Sequence, residues 1–141
     1  MKEKCIFGPV QSRRLGMSLG INLTPYKTCS LDCAYCECGK TTDLTIIRKD
    51  YIPIEQVQKT LKRYSGSSLF RSKPPSCVTF AGFGEPTLHS GFGSIAQFAK
   101  RTFPDQHLVL ITNGTLFPSH PELFQEVQPI DIILPSLDAG S

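Results

Sequence analysis

Strand-like and helix-like apolar patterns take turns along this chain, and that order admits little besides a parallel α/β sheet. Leu15, Met17, Leu19, Ile21 and Leu23 alternate with Gly16, Ser18, Gly20, Asn22 and Thr24, the period-two pattern of a strand with one bulky and one small face. The bulky face is expected to lie outward against helices, leaving room inside for a cofactor. Pro53 opens a helical pattern whose stripe is Ile54, Val57, Leu61 and Tyr64 and which ends near Ser65 and Gly66. The linker 67–75 leads to a continuous apolar strand at 77–81, as buried parallel strands read. A second helix is expected at about 90–103, with Phe92, Ile95, Phe98 and Ala99 inward, then a strand at 107–112. Ser119 and Glu122 have the spacing of a capping box for a third helix, and 130–134 is the last strand. The segment 39–52 is ambiguous, with room for an extra strand around 44–47.

In such sheets the chemistry gathers where strands reach their carboxyl ends. Every distinctive motif of this chain falls there. A cysteine-rich loop follows the first strand, and Gly82-Phe83-Gly84-Glu85-Pro86 follows the second. Thr112-Asn113-Gly114 follows the third, and Ser136-Leu137-Asp138 follows the fourth. The strand at 130–134 is the last that the pattern offers, which leaves it expected at an open edge.

The cysteine loop is chemically the most specific of these motifs. Cys29, Cys33 and Cys36 form a CxxxCxxC cluster, and three thiolates on one short loop can hold most of an iron-sulfur cube. A 4Fe-4S cluster needs four ligands, so a loop supplying three leaves one iron open to a small molecule. The alternative is a closed site, zinc or a four-cysteine cluster, completed by Cys38 in a non-catalytic metal-binding module. Cys77 opens a buried strand and reads as a small hydrophobe, whereas Cys5 sits near a terminus expected to be mobile.

Composition narrows the setting. No apolar run is long enough for a signal peptide or a membrane span, which points to the cytoplasm and to no membrane partner. Six cysteines without a secretion signal then favour metal over disulfides. The net charge of +3 is too mild to argue for nucleic acid. The doublets Arg13-Arg14, Arg48-Lys49, Lys62-Arg63 and Lys100-Arg101 each read as solvated surface, and His89, His107 and His120 share no motif.

CxxxCxxC with Tyr35 just before its last cysteine resembles the cluster loop of the radical S-adenosylmethionine (SAM) superfamily. The stretches FGPVQSRRLGMSLGIN and GKTTDLT further resemble a branch of Fe-S oxidoreductases related to the wyosine-type tRNA-modifying enzymes. The resemblance implies that residues 1–141 are the N-terminal part of a radical SAM core, a partial TIM-type barrel of parallel strands. It implies a 4Fe-4S cluster on Cys29, Cys33 and Cys36 whose open iron binds SAM, with reductive cleavage to a 5'-deoxyadenosyl radical that abstracts hydrogen from a substrate. Tyr35 would lie beside the adenine. Gly82, Gly84 and Glu85 resemble the family's Gly-Gly-Glu-type motif, which receives the methionine ammonium, with Phe83 inserted here. Thr112 and Asn113 become further cofactor contacts by position, and Ser136 and Asp138 resemble the ribose-contacting strand end. The implied partners are an electron donor such as flavodoxin or ferredoxin and an undefined substrate, with tRNA suggested by family analogy alone.

Overall fold

A computed structural model of the chain describes residues 5–12, 15–24, 28–29, 43–44, 47–81 and 84–135. Strands β1 (Ile6–Ser12) and β2 (Gly16–Ile21) form an antiparallel pair. The short strands β3 (Thr28–Cys29) and β4 (Asp43–Leu44) pair in parallel as a separate ribbon. Then come α1 (Ile54–Ser65), α2 (Ser68–Ser72), β5 (Cys77–Phe80), α3 (Phe92–Thr102), β6 (His107–Thr112), α4 (Leu123–Glu126) and β7 (Ile132–Pro135). The main sheet has the order β1-β2-β5-β6-β7, with every pairing after the first parallel. It is an open, mostly parallel α/β sheet with β1 and β7 at its edges, consistent with a partial radical SAM βα fold.

The two faces divide as the alternation of β2 requires. Leu19 and Ile21 point to one side, where they meet Val78, Phe80, Leu108 and Leu110 from the neighbouring strands and Val57, Leu61, Phe92 and Ile95 from α1 and α3, all fully buried. Burying each such side chain contributes about 1.5–3 kcal/mol, so the helix-covered face carries most of the folding drive. Ser18 and Gly20 point to the other side. There a cavity of about 480 Å³ is lined by these two with Phe7, Val10, Thr79, Ala81 and Ile111. Small residues on β2 are what keep it open.

Strand β1 corrects two expectations. It runs antiparallel, so the sheet is not uniformly parallel, and Cys5 just before it is no mobile terminus: it is 3% exposed and packs in the core. Burial pushes its thiol above the usual range. Gly8 and Pro9 break any alternation in this segment and form a bulge between Phe7 and Val10. Gly8 has φ +91°, and a β-carbon there would stand 2.8 Å from the Val10 nitrogen, so glycine is required. Beyond the bulge, the Phe7 ring lies across Gly20, where a β-carbon would approach it to 2.1 Å. A strand with no readable pattern thus forms because β2 offers it a free edge and a glycine to cover.

Other local readings change in detail. The linker 67–75 contains α2, capped by the Ser67 hydroxyl accepting from the Phe70 amide. Phe70 packs against Tyr64 and Phe103. The extra strand expected around 44–47 corresponds to β4, which covers only two residues and overlaps that range at Leu44. The capping box does not form. Ser119 donates to the Leu116 carbonyl within a turn of its own, and α4 is a single helical turn with no side-chain cap. Among the described residues no helix is long and apolar enough to cross a membrane.

Candidate functional site

Strand ends converge at the carboxyl edge of the sheet. The chain leaves β2 through Asn22, 1% exposed, whose side-chain amide donates to the Thr24 carbonyl at 2.8 Å. Cys29 is the last residue of β3, so the cysteine loop is bracketed by the β3–β4 ribbon. Cys33, Tyr35, Cys36, Cys38, Gly82, Ser136 and Asp138 lie outside the described residues, as does the doublet Arg13-Arg14. Among the described residues no group of three or more histidine, cysteine or acidic side chains is placed to hold a metal.

Glu85 is the centre of the described site. Pro86 starts a short 3-10 turn, Pro86–Leu88, and the Glu85 carboxylate caps it by accepting from the Thr87 amide at 3.2 Å and from the Thr87 hydroxyl. The same oxygen, Oε2, accepts from the Thr112 hydroxyl at 2.6 Å, while Oε1 accepts from the Asn113 amide at 2.9 Å. With Glu85 only 3% exposed, these donors compensate a carboxylate whose burial would otherwise cost several kcal/mol. Thr112 Oγ1 also accepts from the Gly114 amide at 3.1 Å, and Gly114 adopts φ +74°, which glycine tolerates best. Asn113 closes the turn from the other side by accepting from the Thr115 amide and hydroxyl. Glu85, Thr112 and Asn113, chosen from sequence as separate strand-end candidates, are therefore one hydrogen-bonded unit, with Gly84 leading into it.

The residue that sequence reading missed is Arg48. Read as half of a solvated doublet, its side chain is in fact 8% exposed and forms a bidentate pair with Glu126 at 3.0 and 2.7 Å. Two further donors reach the Thr87 and His89 carbonyls, each at 2.8 Å, and Nη1 lies 3.7 Å from the Glu122 carboxylate. Lys49 continues the contact through backbone hydrogen bonds with Leu88 and Ser90. Together they fasten the segment returning from the cysteine loop onto the turn that carries Glu85. No local pattern announces this, since the Arg48 partners lie 39, 41 and 78 residues away.

His89 has a packing role, as its lack of a motif suggested. It is fully buried, with Nδ1 accepting from the Gly91 amide at 2.9 Å and Nε2 donating to the Ile52 carbonyl at 2.6 Å. Burial lowers its pKa, so the imidazole is neutral at pH 7.

A family model described as the radical SAM superfamily matches residues 23–141. Over 141 residues the chain is 37% identical to a protein of Brachyspira hyodysenteriae named GTPase Obg, covering 100% of this chain and 20% of that protein. It is 40% identical over 110 residues to a UPF0026 protein of Methanocaldococcus jannaschii, covering 78% of this chain and 33% of the relative. A UPF0026 protein of Helicobacter pylori strain J99 is 33% identical over 135 residues, covering 95% and 42%. The chain thus spans less than half the length of each of these relatives. No solved structure matches.

Proposed function

The chain belongs to the radical SAM superfamily, and from that premise we propose that residues 1–141 are the N-terminal part of an enzyme core that holds a 4Fe-4S cluster and SAM at the carboxyl edge of its sheet. The residues present fit these groups: three thiolates in one loop suit an iron-sulfur cube with an open iron. Cys29, Cys33 and Cys36 would hold the cluster, which supplies the electron for reductive cleavage of SAM and so the radical that takes hydrogen from a substrate. Tyr35 would lie beside the adenine. Gly82, Gly84, Glu85, Thr112 and Asn113 would line the methionine end, and Ser136 and Asp138 would hold the ribose. The protein's own work is to hold these groups in register and to exclude water from them.

One observation carries the reading. The segment returning from the cysteine loop is bonded through Arg48 and Lys49 to the turn 87–90, which adjoins Glu85, and Glu85 is bonded to Thr112 and Asn113. Two of the sequence motifs thereby share one place, and the segment that follows the cysteine loop in the chain is fastened beside them. The stretches 7–22 and 39–45 make tRNA the first substrate class to test and flavodoxin or ferredoxin the first electron donors.

The test is anaerobic reconstitution followed by EPR of the reduced cluster with and without SAM, and by assay for 5'-deoxyadenosine. A spectrum that shifts on adding SAM supports the open iron. A spectrum indifferent to SAM, with iron lost on Cys38→Ala, would mean a closed four-cysteine site and a metal-binding module instead.

A further inference from the structure

We infer that Glu85 is a positioning residue, holding the Thr112–Gly114 turn in place from beneath, and is not itself the partner of the SAM ammonium. The inference rests on the reading of this edge as a SAM site. A carboxylate offers about four lone-pair positions. Oε2 already accepts from the Thr87 amide, the Thr87 hydroxyl and the Thr112 hydroxyl, and Oε1 accepts from the Asn113 amide. The residue is 3% exposed. Little acceptor capacity and almost no surface are left for an incoming cation.

What the carboxylate does instead is join two loops. Its partners come from both sides of the β5–β6 pair, Thr87 from the loop after β5 and Thr112 with Asn113 from the end of β6. Thr112 relays the contact, donating to Glu85 while accepting from the Gly114 amide. Without the carboxylate, the Asn113 amide and the Thr112 hydroxyl lose their acceptor, and the turn at Gly114 is free to move. Glutamine at position 85 would replace one acceptor oxygen by an NH2 facing donors. Valine at 112 would remove only the relay, and serine at 112 would keep it.

Two measurements test this on the full-length protein. The first is amide hydrogen exchange without cofactors, in the parent, Glu85→Gln, Thr112→Val and Thr112→Ser. Exchange at Asn113 and Gly114 should speed up by roughly ten- to a hundredfold in Glu85→Gln, the loss expected for a hydrogen bond to a charged group. Thr112→Val should speed up Gly114 alike, and Thr112→Ser should match the parent. The second is calorimetric binding of SAM and of the analogue lacking the α-amino group. Positioning predicts that Glu85→Gln and Thr112→Val weaken both ligands by the same factor. A loss confined to SAM, with the analogue unaffected, would make Glu85 the ammonium partner and overturn the inference. Unchanged exchange at Asn113 and Gly114 in Glu85→Gln would overturn it also. A parent that binds neither ligand defeats the SAM reading alone, because exchange still decides whether Glu85 holds the turn.

Discussion

Replacing Arg48 with methionine should cost this domain a large share of its stability. The substitution keeps the apolar stem and removes the guanidinium, which is 8% exposed and holds Glu126 in a bidentate pair together with the Thr87 and His89 carbonyls. Breaking a fully buried pair from one side costs about 3–5 kcal/mol. Glu126 retains 18% exposure, so water can take over part of its solvation; discounting for that gives about 2–4 kcal/mol. Against a total stability of about 5–15 kcal/mol, this is enough to populate the unfolded chain on mild heating. Urea unfolding followed by circular dichroism, repeated at several protein concentrations to separate association from folding, should show the midpoint falling by about 1–2 M. Arg48→Lys should recover little, since an ammonium cannot bridge both carboxylate oxygens and two carbonyls in one plane. A double-mutant cycle with Glu126→Gln isolates the pair. Additivity within about 0.3 kcal/mol, or a lysine variant as stable as the parent, would refute the view that this clamp fastens the returning segment to the Glu85 turn.

Cys29→Ala, Cys33→Ala or Cys36→Ala should abolish iron loading while Cys38→Ala leaves it nearly intact; iron and sulfide per chain decide, and a Cys38 variant as empty as the others sinks the open-iron proposal. The pKa of His89 is lowered on folding mainly by burial, so the folded state binds fewer protons than the unfolded one below about pH 6.5. Stability from this group should therefore be fully present above that pH and fall as pH drops, by at most about 1.4 kcal/mol per pH unit; an imidazole NMR signal from His89 titrating at or above its ordinary value contradicts this. Strand β7 lies at an edge of the sheet with Ile133 41% exposed, and the chain should self-associate through it. Light scattering over a concentration series is the check, with Ile133→Lys expected to suppress the association and a concentration-independent monomer speaking against it.

The repeating order of strands and helices is a local property of the chain, written in spacings of two, three and four residues. The stripe Val57, Leu61 and Tyr64 had to face a core, and the alternation of β2 had to put Leu19 and Ile21 on one side and Ser18 and Gly20 on the other. Placing the motifs at strand ends followed from the same periodicity, so Glu85, Thr112 and Asn113 were legible as candidates before any contact was known. Their mutual bonding was not. It depends on β5 and β6 being neighbours in parallel, which brings residues 27 and 28 positions apart to one carboxylate. Strand β1 and the burial of Cys5 depended on an unfilled edge of β2, and Gly8 and Pro9 carry no periodic sign of it. The capping box at Ser119 failed because turn contacts with Leu116 took the serine first. Arg48 shows the limit most plainly: a charge beside another charge reads as surface, and only packing of α4 against the Glu85 turn surrounds it with acceptors. Local geometry is set by near neighbours along the chain, whereas the partners of a buried charge are set by which distant segments the sheet brings together.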